Sequence, residues 1–481
     1  MRFRRAFALV PWLAACHSFG GNAAAPLALS ACRLDGLPEE ARCGTLEVFE
    51  DRAANGGKRI ALRVAVVPAL AAAARPDPIF VLVGGPGQAA SDHAGEVVRM
   101  LEKERRRRDL VFVDQRGTGR SNPLDCAEPP DGGLAAELRE DVDEPLLRAC
   151  LARYASDGTH PEDYTTDAAA DDLDDVRAAL GAAQVDLWGI SYGTRLGFAY
   201  LRRHGSAVRA AVFDGVSPPM HSIVRDAPRD AERAFGLIFA SCARDASCAA
   251  AFPDLEPRLR QLLGNLARQP AHVHLADPIS GAPVDLTLTR DAFAMGLEGL
   301  LYVPELSSIL PLLIDRASRG DFQPFAAEVS AFNLSSGVSR GLFYSVVCGE
   351  DAAVPGLDAG PGLLLGDGFA RATRQVCRLW PHRVVPAADR APVHVETPVL
   401  LLSGELDPVT PPSHAEEALA ALPHGFSLVV PGAGHGVSSR GCVPELIAAF
   451  IDSAGAEPPA SDCIRQLDRP PFFVSFAGPH P

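Results

Sequence analysis

Lysine is almost missing from this 481-residue chain: among 45 basic residues only Lys58 and Lys103 are lysines, a compositional bias that carries no functional content. Apart from the first residues, no run of roughly 18 uninterrupted apolar residues occurs, so no later segment is expected to cross a bilayer. There is no CxxC and no HExxH, which leaves zinc without a ligand spacing. No repeat of 20–50 residues is apparent, which excludes solenoids and propellers. Positive charge is also in deficit. A formal charge of −15 repels phosphate backbones, so no nucleic-acid partner is expected. What remains is ordinary for a globular protein, 47% apolar and 22% charged residues, and the length suits one large domain with an insertion, or two to three domains.

The amino terminus carries an address. Arg2, Arg4 and Arg5 precede an apolar stretch from Ala6 to Ala15 that is too short to span a membrane, as in a secretion signal. Its end, Leu13-Ala14-Ala15-Cys16, resembles a bacterial lipobox, in which Cys16 becomes the lipidated first residue of the mature chain. The competing reading is an ordinary signal cut near Ala23 to Ala25. Cysteine usage supports export. Of eleven cysteines, setting Cys16 aside leaves ten, in sequence-local couples 32/43, 126/150, 242/248, 348/377 and 442/463. An oxidising compartment permits those couples to close as disulfides, although spacing alone does not fix connectivity.

Apolar runs alternate with amphipathic segments, which predicts a mostly parallel sheet covered by helices on both faces. Strands are expected at Ile60–Val67, Ile79–Val83, Leu110–Val113, Val185–Trp188 and Ala210–Phe213, and again at Val399–Ser403 and Phe426–Val430. Helices are expected at Thr166–Gly181, Thr194–His204, Ser413–Leu422 and Pro444–Asp452. Between these sets the strand signal fades and Pro-broken helical segments dominate, among them Ala231–Ala243, Pro257–Ala267 and Asp291–Leu301. The expected division is a signal segment 1–25, a core from 26–215, a mainly helical cap over 216–395, the rest of the core over 396–468, and an irregular tail over 469–481. Within the cap, the Gly/Pro-rich stretch 352–368 is expected to be a mobile loop.

Gly189-Ile190-Ser191-Tyr192-Gly193 fits G-x-S-x-G. Five residues alone are a weak signal, but these sit between a strand and a helix. In that setting glycines allow a strained turn to lift the serine hydroxyl above the sheet. A serine needs a base, and the base needs an orienting carboxylate. Asp407 follows the strand at 399–403 and His435 follows the strand at 426–430, so the order Ser, Asp, His matches an α/β-hydrolase triad. Glu405 and Asp214 are the rival acids. The amides of Tyr192 and of Gly85, in Gly84-Gly85-Pro86-Gly87, are the expected oxyanion donors, since Pro86 has no N–H. Asp114 to Ser121 is expected to brace the floor of the site.

Together, Gly84–Gly87, Asp114–Ser121, Gly189–Thr194, Asp407 and Gly434-His435 resemble the proline iminopeptidase and tripeptidyl aminopeptidase-like group of α/β-hydrolases, over most of residues 40–455. The resemblance implies the α/β-hydrolase fold with a helical cap, no cofactor, and serine exopeptidase activity on peptides with a free N-terminus. Val83 stands where many iminopeptidases have histidine, and Tyr192 where they often have tryptophan. Both departures favour the tripeptidyl-like branch. Holding a substrate ammonium calls for cap carboxylates facing the serine; Glu298, Glu350 and Asp351 are the candidates. The alternatives are an esterase or amidase of small substrates, or a surface binding module without chemistry.

Overall fold

A computed structural model describes residues 26–479 except 55, 128–133, 135–137, 139–141, 278–279, 334–336, 353, 358–359 and 361. The signal segment and Cys16 therefore lie outside the described residues. Eleven strands are numbered here in chain order: β1 Ser30–Cys32, β2 Ala41–Phe49, β3 Arg59–Val67, β4 Ile79–Leu82, β5 Leu110–Val113, β6 Val185–Ile190, β7 Val208–Asp214, β8 Ala271–Ala276, β9 Pro283–Leu288, β10 Val399–Gly404 and β11 Gly425–Val430. Nine form one sheet in the order β1-β2-β3-β5-β4-β6-β7-β10-β11. Its first three ladders are antiparallel. The pairs from β5 through β11 are parallel.

The parallel strands are short apolar runs because both faces of the sheet are covered. Alternate side chains enter separate cores, as the two-residue repeat of a strand requires. Phe80, Val111, Leu187, Phe213 and Leu401 pack on one face, Ile79, Val81, Phe112, Val212 and Leu400 on the other. Helices Thr166–Ala179 and Tyr192–His204 cover the first face. Helices Ala94–Met100 and Val443–Ser453 cover the second.

Between β7 and β10 the chain leaves the sheet and builds a third core of its own, from Phe235, Leu259, Phe293, Leu297 and Phe325 among others. Its helices include Ile223–Arg244, Leu255–Arg268 and Arg290–Leu300. It also contains the hairpin β8–β9. Leu406, next to Asp407, belongs to this core, so cap packing reaches the edge of the site.

All five expected cysteine couples are disulfides, 32–43, 126–150, 242–248, 348–377 and 442–463. Among the described residues no helix is long and apolar enough to cross a membrane.

Candidate active site

The carboxyl ends of β4, β6, β7, β10 and β11 open onto one rim, where open parallel sheets place their sites. Leaving β6, the chain reverses at Ser191, whose φ of +57° is a conformation a non-glycine residue adopts only under strain. The turn is possible because the helix that follows presses directly on β4. At Gly193 a Cβ would lie 2.0 Å from the Leu82 carbonyl oxygen, so only glycine fits there. Gly84, just after β4, sits close to Ser191: a Cβ on it would lie 2.9 Å from Ser191 Cβ and 3.4 Å from its Oγ. Gly84 donates its N–H to Gln88 Oε1 at 3.1 Å, leaving Gly85 as the next amide of the turn.

Beyond β10, Asp407 is fully buried and accepts four hydrogen bonds. They come from the Val409 and Thr410 amides at 2.9 and 2.8 Å, Thr410 Oγ1 at 2.7 Å, and His435 Nδ1 at 2.9 Å. Burial alone would raise the pKa of this carboxyl. The charge and hydrogen bond of His435, with the two amides, bring it down to about 2. Burial likewise opposes a charged imidazole at His435, but Asp407 outweighs it, so the ring holds its proton above the usual histidine range. The two rival acids are engaged elsewhere. Glu405 accepts the Gly432 N–H at 2.9 Å. Asp214 accepts the amides of Val437 and Ser438 and the Ser438 hydroxyl, pinning the loop that carries His435.

Ser191 and His435 meet around Asp214-Gly215. The Ser191 N–H donates to the Asp214 carbonyl at 2.9 Å, and a Cβ on Gly215 would lie 2.9 Å from His435 Cε1. The next residue, Gly436, abuts Ile190. Ser191 Oγ and His435 share no hydrogen bond here; such bonds are often long until substrate binds.

From the cap side, the His435 N–H donates to the Tyr302 carbonyl at 2.8 Å, and the two rings meet edge-on with centroids 5.0 Å apart. One turn before Tyr302, Glu298 lies within the electrostatic reach of His435 and Asp407. Burial pushes its pKa up to about 8, with His435 opposing the shift. Sequence reasoning missed Tyr302, which no pattern marks. It also missed Thr410, which the Asp407-Pro408-Val409-Thr410 turn could have signalled, since an aspartate there accepts the amides that follow.

Glu350 and Asp351 are placed differently. Both are buried against Arg195, at 3.6 and 3.3 Å. Glu350 also accepts the Thr166 N–H, and Asp351 the Ile223 N–H. Tyr192 is buried, its phenol bonded to Thr166 Oγ1 at 2.8 Å and Gln115 Nε2 at 3.1 Å. In the floor turn, Asp114 accepts the Ser91 amide and hydroxyl, and Arg116 forks onto Asp172 at 2.7 and 2.8 Å.

Comparison with known proteins accords with this architecture. The profile of the alpha/beta hydrolase fold matches residues 77–239, and that of TAP-like proteins matches residues 364–463. The chain has the α/β-hydrolase fold, and its carboxyl-terminal part resembles TAP-like proteins. It is 28% identical to the serine protease Hip1 of Mycobacterium tuberculosis over 479 residues, 89% of this chain and 88% of that one. A tripeptidyl aminopeptidase of Streptomyces lividans is 30% identical over 196 residues, 38% of this chain and 36% of that one. Carboxylesterase B of M. tuberculosis is 29% identical over 408 residues, 77% and 76% of the two chains. This α/β hydrolase is an enzyme of the serine-hydrolase class.

Proposed function

We propose that the protein is an exported serine peptidase that removes one residue or a short peptide from the free N-terminus of its substrate. The observation that carries this reading is the buried Asp407–His435 pair, 2.9 Å apart, on the same rim as the strained Ser191. In the proposed reaction Ser191 Oγ attacks the scissile carbonyl carbon while its proton passes to His435 Nε2. Asp407 holds Nδ1–H and stabilises the imidazolium. The amides of Gly85 and Tyr192 bind the oxyanion. His435 then protonates the leaving amine, and water hydrolyses the acyl-enzyme by the same route in reverse.

Exopeptidase selectivity is assigned to Glu298. Its carboxyl is held partly protonated near neutrality by burial, and a substrate ammonium beside it would draw it into the charged form. Glu350 and Asp351 are already matched by Arg195, so as ammonium ligands they are weaker choices. Support for a peptide substrate comes from the likeness to the protease and the tripeptidyl aminopeptidase. We also propose export, with a lipid anchor on Cys16, and a cap spanning 216–395 between the two parts of the core. The five disulfides favour an oxidising compartment.

A second reading, hydrolysis of small esters, is favoured by the likeness to a carboxylesterase over three quarters of the chain. A panel of chromogenic aminoacyl and tripeptidyl amides, free and N-blocked, run beside short-chain esters separates the two. The peptidase reading predicts that blocking the N-terminus costs at least ~10-fold in kcat/KM and that Glu298→Gln removes the difference. Equal turnover of blocked and free amides, or turnover of esters alone, would contradict it.

A further inference from the structure

A cavity of about 170 Å³ lies between the outer part of the helix Tyr192–His204 and the returning cap segment around Arg383–Arg390; neither Ser191 nor His435 lines it. Not all of its arginine donors are satisfied. Arg202 is matched by Asp167 at 3.0 Å and Asp389 at 4.0 Å, Arg383 by Asp163 at 2.5 Å, and Arg195 by Asp351 and Glu350. Arg390 makes no ion pair among the described residues, and its buried Nη1 has no hydrogen-bond partner. Arg195, only 4% exposed, also leaves its buried Nε unpartnered. Unmade hydrogen bonds on buried cationic donors are costly, and an anionic acceptor is the chemistry that relieves them. Part of the wall is apolar, formed by Ala199, Pro219 and Val385, and Thr165 and Thr166 add hydroxyl-bearing side chains to the lining.

We propose that this cavity is a second ligand site, taking a small monocarboxylate with a short apolar body. The carboxylate lies between Arg390 Nη1 and Arg195 Nε, and the body rests on Ala199, Pro219 and Val385. Two unpartnered donors suit a single negative charge; a phosphate dianion would bring a second charge up to Glu350, Asp351 and Asp389 without compensation. The volume accommodates a group the size of a free amino acid side chain with its carboxylate. Nothing in this assignment depends on the identity of the substrate cleaved at Ser191.

The probes are isovalerate, its neutral isostere isovaleramide, the cation 3-methylbutylamine, and inorganic phosphate. Binding to the full chain is followed by thermal shift and ligand-observed NMR. The expected result is saturable isovalerate binding in about the millimolar range, as befits so small a ligand. Isovaleramide should bind at least ~10-fold more weakly, and Arg390→Gln should lose isovalerate by a similar factor with turnover unchanged. Ala199→Leu, which fills the cavity and leaves both arginines in place, should also abolish binding. The proposal is overturned if amide, amine or phosphate binds as well as isovalerate, if Arg390→Gln binds like the wild type, or if no probe binds.

Discussion

The His435 N–H donates to the carbonyl of Tyr302, so the loop that carries the candidate base is fastened to the cap as well as to the sheet. A second fastening lies across the site. There the Ser339 N–H donates to the Gly87 carbonyl at 2.9 Å, tying another cap segment to the glycine turn after β4. The cap is therefore tied by main-chain bonds to both the candidate base and the candidate oxyanion turn.

Removing the Tyr302 ring tests the first fastening. Tyr302→Ala keeps the main-chain bond but frees the imidazole face that the ring supports. A small misplacement of a catalytic group is expensive, so kcat should fall about 10- to 100-fold with KM little changed. Tyr302→Phe, which retains the ring, should recover most of the activity. Steady-state kinetics on the two variants decide the point.

Asp407→Asn should leave the fold intact and lower kcat by about 10⁴. The amide oxygen can still accept from Val409 and Thr410, but the NH₂ group would face His435 Nδ1 and stabilise the wrong tautomer. Glu405→Gln, by contrast, alters only a bond to the Gly432 amide and should keep near-wild-type turnover.

The same pair sets the pH response. A base must be unprotonated to act, and the His435 pKa is raised, so kcat/KM should rise with pH through a midpoint above 6.5. For stability the signs are opposite for the two partners. The raised His435 pKa contributes stability that is present below 6.5 and lost as pH climbs through its folded value. The Asp407 pKa, lowered from 3.8 to about 2, contributes stability that is present above 3.8 and lost as pH falls toward 2. Asp407→Asn should flatten the loss on acidification, measurable as Tm against pH.

Two glycine substitutions should fail for different reasons. Gly193→Ala places a Cβ 2.0 Å from the Leu82 carbonyl oxygen, so the helix must leave the sheet, costing about 1–3 kcal/mol or more. Gly84→Ala meets the Ser191 side chain instead, and should lower kcat about 100-fold with little change in Tm. Thermal unfolding and kinetics, read together, separate the two effects.

Sequence legibility followed burial. Strands buried on both faces, such as Leu110–Val113 and Val399–Gly404, are continuous apolar runs that stand out without neighbours. β2 escaped because only its alternate residues are buried and Arg42 and Glu47 interrupt it, and the cap hairpin β8–β9 escaped because most of its side chains face solvent. The spacing of Gly189–Gly193, Asp407 and His435 marked the rim, since each follows a recognisable strand. Tyr302 acts through its main-chain carbonyl and an edge-on ring contact, which any residue pattern could supply, so the fold alone reveals it. Glu350 and Asp351 looked like free acids because their partner, Arg195, lies some 150 positions away, joined to them only by folding.

In the proposed mechanism Ser191 is a nucleophile activated by His435. Intact-mass and peptide mass spectrometry after treatment with a fluorophosphonate tests it directly. One adduct per chain on Ser191 is predicted, lost in Ser191→Ala and slowed by orders of magnitude in His435→Ala. Folded wild-type protein that takes no adduct, or an adduct on another residue that persists in Ser191→Ala, would contradict it.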